Sequence, residues 1–164
     1  MRAAGLLRKL WPTIVFSHVY RSSPQEVTDQ PDFLNAVARF ETEDSPEDIA
    51  AQLREIEQTL GKAPPFRFGP RTIDLDILLF KEKIIPNESE WLSNFQFPIS
   101  NSSSETTKLI LPHPRLHLRR FVLEPLCELI DPQAMHPLLN ETYAMLLEKT
   151  RNQCCTVTSL ELYT

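Results

Sequence analysis

The feature that most constrains this chain is a run of strand-forming residues, 72–80, which is mostly apolar but contains two aspartates. Asp74 and Asp76 are two residues apart, so on an extended strand they project from the same face. Two carboxylates on an apolar strand repel each other and lose hydration unless cations compensate. Mg²⁺ held by carboxylate oxygens and substrate phosphates is the usual arrangement of this kind. The alternative for a bare Asp-x-Asp pair is an edge strand with a solvated acidic face.

A turn that carries an arginine precedes this run and favours the metal interpretation. Gly69-Pro70-Arg71 places a guanidinium three residues before the first carboxylate, so an anion donor and a metal pair can share one polyanionic ligand. Carboxylates, metal ions and arginines together indicate phosphoryl chemistry. Lys62 and Arg67 add positive charge in the same loop, and Phe66 and Phe68 are candidate stacking surfaces. Basic loop residues are also commonly just solvated.

A second group of candidates follows a proline-bounded turn. His113 and Arg115 lie in Leu-Pro-His-Pro-Arg, which suits anion recognition, although a lone histidine more often makes a structural hydrogen bond. Arg119, Arg120 and Phe121 then offer two guanidiniums and an aromatic ring at the start of a helix. An amphipathic helix explains these three residues nearly as well.

Length, charge and cysteine usage limit the class of protein. The 164 residues fit one domain, 1–164, in which we expect 151–164 to be a tail. A net charge of -5 has the wrong sign for a protein that neutralises many nucleic-acid phosphates. The three glycines are too far apart for a glycine-rich phosphate loop. Three cysteines without framework spacing predict a reduced, cytoplasmic setting, and no apolar run predicts a membrane span.

Hydrophobic periodicity and the positions of glycine and proline predict a set of helices and strands. The clearest helix begins at Ser45, a cap followed by proline and acidic residues, and ends at Gly61. In a strand over 33–42 we expect Leu34, Ala36, Ala38 and Phe40 to face the core. Residues 86–107 show no periodicity and predict a long surface excursion. Further elements are a helix over 2–10, a strand over 13–20, helices over 117–130 and 138–150, and a weak strand in the tail.

Four stretches of this sequence resemble, in order, the hydroxymethyldihydropterin pyrophosphokinases of folate biosynthesis. Gly-Pro-Arg-x-x-Asp-x-Asp is the most specific of them, and the likeness extends over residues 6–147. The four stretches are Phe-Leu-Asn-Ala at 33–36, the Gly-Pro-Arg block at 69–80, Leu-Pro-His-Pro-Arg-Leu at 111–116, and Arg-x-Phe-Val-Leu at 119–123. The resemblance implies an ATP-dependent transferase that gives AMP and the pterin diphosphate. It also implies an α+β fold, a ferredoxin-like α/β sandwich with a mainly antiparallel sheet.

The resemblance also implies roles for the candidate residues. Asp74 and Asp76 would ligate two Mg²⁺ ions, and three residues would hold the phosphates: Arg71, His113 and Arg119. Glu57 and Lys108 match positions that line the nucleotide site, where we also place Lys62, Arg67 and Arg115. Seven residues are expected to bind the pterin. They are Asn35 at its edge, Phe121 and Phe68 on its ring, Ser22, Ser23 and Gln25 in a loop whose backbone meets it, and Phe33. Phe33 and Phe68 stand where the family often has Tyr and Trp.

One departure from the family leaves an alternative open. The family opens with a strand of the form Ala-x-Gly-Ser-Asn-x-Gly, whereas this sequence begins inside the helix that follows it. We therefore expect a sheet without its first, central strand, and two interior edges without partners. The alternative function is a catalytically impaired pterin- or nucleotide-binding remnant that acts as an interaction module. A generic Mg²⁺ phosphoesterase ranks last, and dihydropteroate synthase is the expected functional companion.

Overall fold

A computed structural model of the chain describes residues 2–23, 31–61, 73–96 and 109–162. Ten regular helices and strands occur in these ranges, together with a 3-10 turn at Leu116–Leu118. In chain order they are α1 Arg2–Leu10, β1 Val15–Phe16, β2 Tyr20–Ser22, β3 Phe33–Asn35, β4 Ala38–Arg39, α2 Pro46–Thr59, α3 Glu88–Gln96, α4 Arg120–Cys127, α5 Tyr143–Lys149 and β5 Cys155–Val157. Seven of the sequence candidates lie outside the described residues: Gln25, Lys62, Phe66, Arg67, Phe68, Arg71 and Lys108.

The two N-terminal helices form where the sequence predicts them. The Ser45 hydroxyl accepts a hydrogen bond from the backbone N–H of Asp48 at 3.1 Å and so caps α2. Gly61 follows the helix with φ at 84°, a left-handed conformation that glycine adopts without strain. α2 buries one apolar face, which packs with α1 in the first core cluster.

The strands are short, and every strand pair in the described ranges is antiparallel, so the chain has an α+β fold. β1 pairs with β4, while β2 lies between β3 and β5 in a second sheet. The predicted strand over 33–42 is therefore two strands that belong to different sheets. The prediction that Leu34 and Ala36 face the core was wrong: both are exposed, and Val37 is buried instead. The alternation is lost where the chain passes between sheets at 36–37.

The segment 73–80 runs extended between the two core clusters. It forms no β-ladder within the described part of the chain, so the predicted strand is extended but not assigned to a sheet. Leu75 and Ile77 pack against the first cluster, which contains Trp11 and Leu53. Leu78 and Leu79 pack against the second cluster, which is formed mainly by α4, α5 and the 3-10 turn.

The excursion predicted over 86–107 contains a helix in its described part. α3 carries Trp91, which is fully buried and donates from Nε1 to the Pro112 carbonyl oxygen at 2.6 Å. The expectation of a surface loop without regular structure was therefore wrong over 88–96. Apolar residues are few in this segment and lie among polar neighbours, so the sequence shows no sustained helical period there.

In the C-terminal third, α4 packs against the strands of the second sheet, and α5 packs on α4. α4 is preceded by the 3-10 turn and ends at Cys127, so the helix predicted over 117–130 is shorter and interrupted near Arg119. α5 is capped by Thr142, whose hydroxyl accepts from the Met145 N–H at 3.2 Å. β5 lies in the segment expected to be a tail and pairs with β2. None of the described helices has the length and apolar character needed to cross a bilayer.

Candidate functional site

The two aspartates of the extended segment lie on one face of it. Asp74 and Asp76 are exposed, whereas Ile73, Leu75 and Ile77 between and beside them are half-buried. The apolar side chains are held in the core, so the carboxylates point to solvent at a spacing of two residues. This face of the segment can present both carboxylates to one ligand.

A buried carboxylate holds the segment against α2. Glu57 is only 3% exposed, and its Oε1 accepts from the backbone N–H of Leu75 at 2.8 Å. Leu75 lies between the two aspartates, so this bond fixes the backbone that carries them. The resemblance implies a place at the nucleotide site for Glu57. In the structure this residue makes a hydrogen bond to the backbone next to the acidic pair.

His113 is brought to the acidic pair by a backbone hydrogen bond. Its N–H donates to the Leu78 carbonyl oxygen at 2.8 Å, and its ring Nε2 lies 4.0 Å from Asp76 Oδ2. The ring Nδ1 accepts from the Arg115 backbone N–H at 3.2 Å, which assigns the proton of the neutral ring to Nε2. The neutral imidazole therefore directs an N–H donor toward the carboxylates.

The electrostatics of His113 favour this neutral form. Burial lowers its pKa below the usual range, and the guanidiniums of Arg119 and Arg115 lower it further. The carboxylate of Asp76 acts in the opposite direction and raises the pKa. The charges of one aspartate and two arginines therefore act on the imidazole of His113.

Arg119 and Phe121 lie at the corner where the 3-10 turn meets α4. Arg119 is the N-cap residue of α4 in an extended conformation, with φ -125° and ψ 109°. Its guanidinium carbon lies 5.6 Å from the centre of the Phe121 ring, within cation–π range. Phe121 is half-buried, so part of its ring remains accessible for stacking.

A second group of candidates lies on β2 and β3. Ser22 is buried, and its hydroxyl accepts from Asn35 Nδ2 at 2.9 Å. Ser23 and Phe33 are exposed beside this pair. α4 packs against both strands, so the helix that carries Phe121 in its first turn lies next to the strands that carry Ser22 and Asn35.

Sequence reasoning missed one residue that contacts the corner. The side-chain amide of Gln153 bonds to the backbone on both sides of Arg119. No motif or periodicity marks this glutamine, because the partner atoms belong to the main chain and are more than 30 residues away. These two hydrogen bonds can be identified only in the folded chain.

The fold and this surface define an α+β protein in which two exposed carboxylates lie on one segment, one of them 4.0 Å from an imidazole on which two guanidiniums act electrostatically. This set of groups suits a polyphosphate bound together with divalent metal ions. Within the described ranges, no cluster of three or more His, Cys, Asp or Glu could hold a metal ion by itself. Two carboxylates fit Mg²⁺ nonetheless, because Mg²⁺ usually keeps several waters and takes its other ligands from substrate phosphates.

Comparison with known proteins gives the family. The sequence profile of the family 7,8-dihydro-6-hydroxymethylpterin-pyrophosphokinase matches residues 1–131, and this chain belongs to that family. The 2-amino-4-hydroxy-6-hydroxymethyldihydropteridine pyrophosphokinase of Haemophilus influenzae is 39% identical over 116 residues, which are 71% of this chain and 61% of that protein. Its counterpart from Bacillus subtilis is 37% identical over 113 residues, 69% of this chain and 56% of that protein.

A longer relative also matches. The folic acid synthesis protein fol1 of Pneumocystis carinii is 38% identical over 133 residues, which are 81% of this chain and 15% of that protein. The chain thus spans less than two thirds of the length of each of these three curated relatives.

Proposed function

We propose that this chain transfers the terminal pyrophosphoryl group of ATP to the hydroxymethyl group of 6-hydroxymethyl-7,8-dihydropterin. The products are AMP and the pterin diphosphate, and the reaction belongs to folate biosynthesis. Family membership and the names of the bacterial relatives support this proposal. The observation that carries it is the exposed pair Asp74 and Asp76 next to the imidazole of His113.

Asp74 and Asp76 are the proposed metal ligands. Their carboxylate oxygens are the hard donors that Mg²⁺ prefers, and their exposure leaves room for water and phosphate oxygens in the remaining positions. We infer two Mg²⁺ ions from the resemblance to the family. Bound by these residues, such ions would neutralise phosphate charge and so favour attack by the hydroxyl group.

The basic and imidazole side chains are the proposed phosphate contacts. In the reaction the pterin hydroxyl oxygen bonds to the β-phosphorus and its proton passes to solvent. The bond from that phosphorus to the bridging oxygen breaks, and this oxygen leaves with AMP. Arg115 and Arg119 would bind phosphate oxygens, and neutral His113 would donate from Nε2–H. Arg71, Lys62, Arg67, Lys108 and Glu57 remain predicted contributors to the same nucleotide site.

The pterin is proposed to bind between α4 and the strands β2 and β3. The half-buried Phe121 ring offers a stacking surface, and Asn35 offers an amide for the heterocycle edge. Phe33, Ser22 and Ser23 lie on the same strands, while Gln25 and Phe68 stay predicted pterin contacts. The packing of α4 against both strands supports this arrangement.

The remaining expectations form part of the same proposal. We infer that the α+β fold is the ferredoxin-like sandwich implied by the resemblance. A functional link to dihydropteroate synthase also stays a prediction. It is consistent with a relative from Arabidopsis thaliana that is named a folate synthesis bifunctional protein, of which this chain spans 17%.

The test is AMP formation from ATP, Mg²⁺ and 6-hydroxymethyl-7,8-dihydropterin. Asp74→Asn and Asp76→Asn remove one charge each and keep the side-chain size, so we expect turnover to fall at least about 100-fold with the thermal unfolding midpoint preserved. Glu43→Gln, an equal charge change at an exposed residue before α2, is the matched control and should keep full activity.

Three outcomes would overturn the proposal. Near wild-type AMP release by both aspartate variants would remove the acidic pair from the reaction. Calorimetric binding of an ATP analogue and pterin with no turnover would favour the non-catalytic binding module. ATP hydrolysis that is independent of pterin would favour a phosphoesterase.

A further inference from the structure

Gln153 lies in the turn after α5, beyond residues 1–131 that the family profile matches. Its side-chain Oε1 accepts from the backbone N–H of Arg120 at 2.8 Å. Its Nε2 donates to the backbone carbonyl oxygen of Leu118 at 2.8 Å. The two bonded residues flank Arg119, so one side chain spans the corner that presents Arg119 and Phe121.

These two hydrogen bonds use both the acceptor and the donor of the Gln153 side-chain amide. A backbone N–H only donates and a carbonyl only accepts, so one orientation of the Gln153 amide satisfies both partners. The first backbone N–H groups of a helix have no partner within it, and the N-cap residue of α4, Arg119, makes no side-chain capping hydrogen bond. Gln153 therefore caps α4 from a distant part of the chain.

Gln153 is itself held from two sides. Its backbone N–H donates to the Thr150 carbonyl oxygen at 2.9 Å, in the turn that ends α5. Two residues later the chain enters β5, where Cys155 pairs with Ser22 of β2. The amide is thus fixed relative to α5 and to the strand that carries one of the proposed pterin contacts.

The side chains of Arg119 and Arg120 make different contacts. The guanidinium of Arg120 pairs with Glu124 at 2.6 Å, one turn along α4. Arg119 instead lies over Phe121 and acts electrostatically on His113. A rotation of the backbone at this corner would move both Arg119 and Phe121.

We propose that Gln153 is a positioning residue that sets the direction of Arg119 and Phe121 toward ATP and the pterin. The inference rests on the proposed function, since it assigns Gln153 to the same site. Gln153 acts through the backbone of Leu118 and Arg120 and does not itself contact substrate.

The experiment compares Gln153→Ala with Asn152→Ala, an exposed neighbouring amide, in the full chain. We expect Gln153→Ala to raise KM for both substrates and to lower kcat/KM about tenfold, because a small misplacement of contact groups weakens the bound geometry. Asn152→Ala should keep both constants. A variant that only reduced the folded fraction would lower the apparent kcat and leave KM unchanged.

Gln153→Glu separates the two hydrogen bonds. Glutamate still accepts from the Arg120 N–H but no longer donates to the Leu118 carbonyl, so we expect a KM between those of the wild type and Gln153→Ala. Hydrogen exchange gives a readout that needs no turnover: the Arg120 amide should lose protection in Gln153→Ala and retain it in Gln153→Glu.

The outcomes distinguish the two proposals. Unchanged KM values and unchanged Arg120 protection in Gln153→Ala would overturn the positioning role while the proposed function stands. If the wild type binds a non-hydrolysable ATP analogue without forming AMP, the proposed function fails. Weaker analogue binding by Gln153→Ala alone would then support the positioning role, and equal binding would reject it.

Discussion

His136 is a buried histidine in a ring cluster that the proposed site does not use. Its side chain is packed against the rings of Trp91, His117 and Tyr143, with centroids 5.7, 6.2 and 5.9 Å away. Nδ1 accepts from the Leu138 N–H at 3.2 Å. Burial and, to a lesser extent, the neighbouring His117 lower the pKa of His136 to about 4, although Glu141 opposes the shift.

This histidine predicts a loss of stability in mild acid. Its folded pKa is about 4, below the ordinary value of 6.5 that applies to the unfolded chain, so between these values the unfolded state binds the extra proton. The free energy of unfolding should therefore fall as pH decreases from 6.5 to 4. The contribution of this one group is of the order of 3 kcal/mol over that window. Urea unfolding at several pH values measures it.

A pair of variants isolates the contribution of His136. His136→Asn keeps an acceptor near the position of Nδ1 and cannot titrate, so its unfolding free energy should change less between pH 6.5 and 4. Asn152→Ala changes an exposed side chain that does not titrate and should keep the wild-type slope. An unchanged slope in His136→Asn would show that the acid sensitivity has another source, such as His117, whose pKa burial also lowers.

At the scale of the elements, Glu57 ties helix α2 to the segment that carries the acidic pair. Glu57→Ala would leave the Leu75 N–H without its carboxylate acceptor, so we expect a loss of about 1–3 kcal/mol in unfolding free energy. Turnover should also fall, because Leu75 lies between the two proposed metal ligands. Urea unfolding, hydrogen exchange at the Leu75 amide and AMP formation measure the three effects.

Glu57→Gln is the matched variant for this test. Its Oε1 can still accept from Leu75, so amide protection at that position should persist, and stability should fall less than in Glu57→Ala. Equal loss of Leu75 protection in both variants would contradict the proposed role of the acceptor oxygen.

The elements also show what sequence reasoning can reach. α2 was predicted correctly with its Ser45 cap and its end before Gly61, because capping depends on residues within one turn. The division of 33–42 into β3 and β4 was not, because the exposure of Leu34 depends on which distant strand each part pairs with. The hydrophobic periodicity of a strand does not show which strand it pairs with.

The same distinction applies to the site. That Asp74 and Asp76 share a face follows from strand geometry, so the spacing was sufficient to predict it. The approach of His113 to Asp76 depends on a hydrogen bond to Leu78, and the hold on Arg119 depends on Gln153. These contacts join residues that are 30 or more positions apart and are set by tertiary packing.

At the scale of the whole molecule, the extended segment connects two core clusters. Its residues Leu75 and Ile77 pack on the first cluster, and the adjacent Leu78 and Leu79 pack on the second. Ser17 and Val37 add a second link: the Ser17 N–H donates to the Val37 carbonyl at 2.9 Å, and the Val37 N–H donates to the Ser17 hydroxyl at 2.9 Å. Unfolding of either cluster would release a segment that the other cluster needs.

This coupling predicts that the two clusters unfold together. Trp11 lies in the first cluster and stacks on Phe40, whereas Trp91 lies against His136 beside the second. Trp91→Phe leaves Trp11 as the fluorescent reporter, and Trp11→Phe leaves Trp91. In each variant the urea midpoint from fluorescence should coincide with the midpoint from far-ultraviolet circular dichroism. The comparison is made within each variant, so the different stabilities of the two do not affect it. A fluorescence midpoint separated from the dichroism midpoint in either variant would show that one cluster survives the loss of the other, and the extended segment would then not couple them.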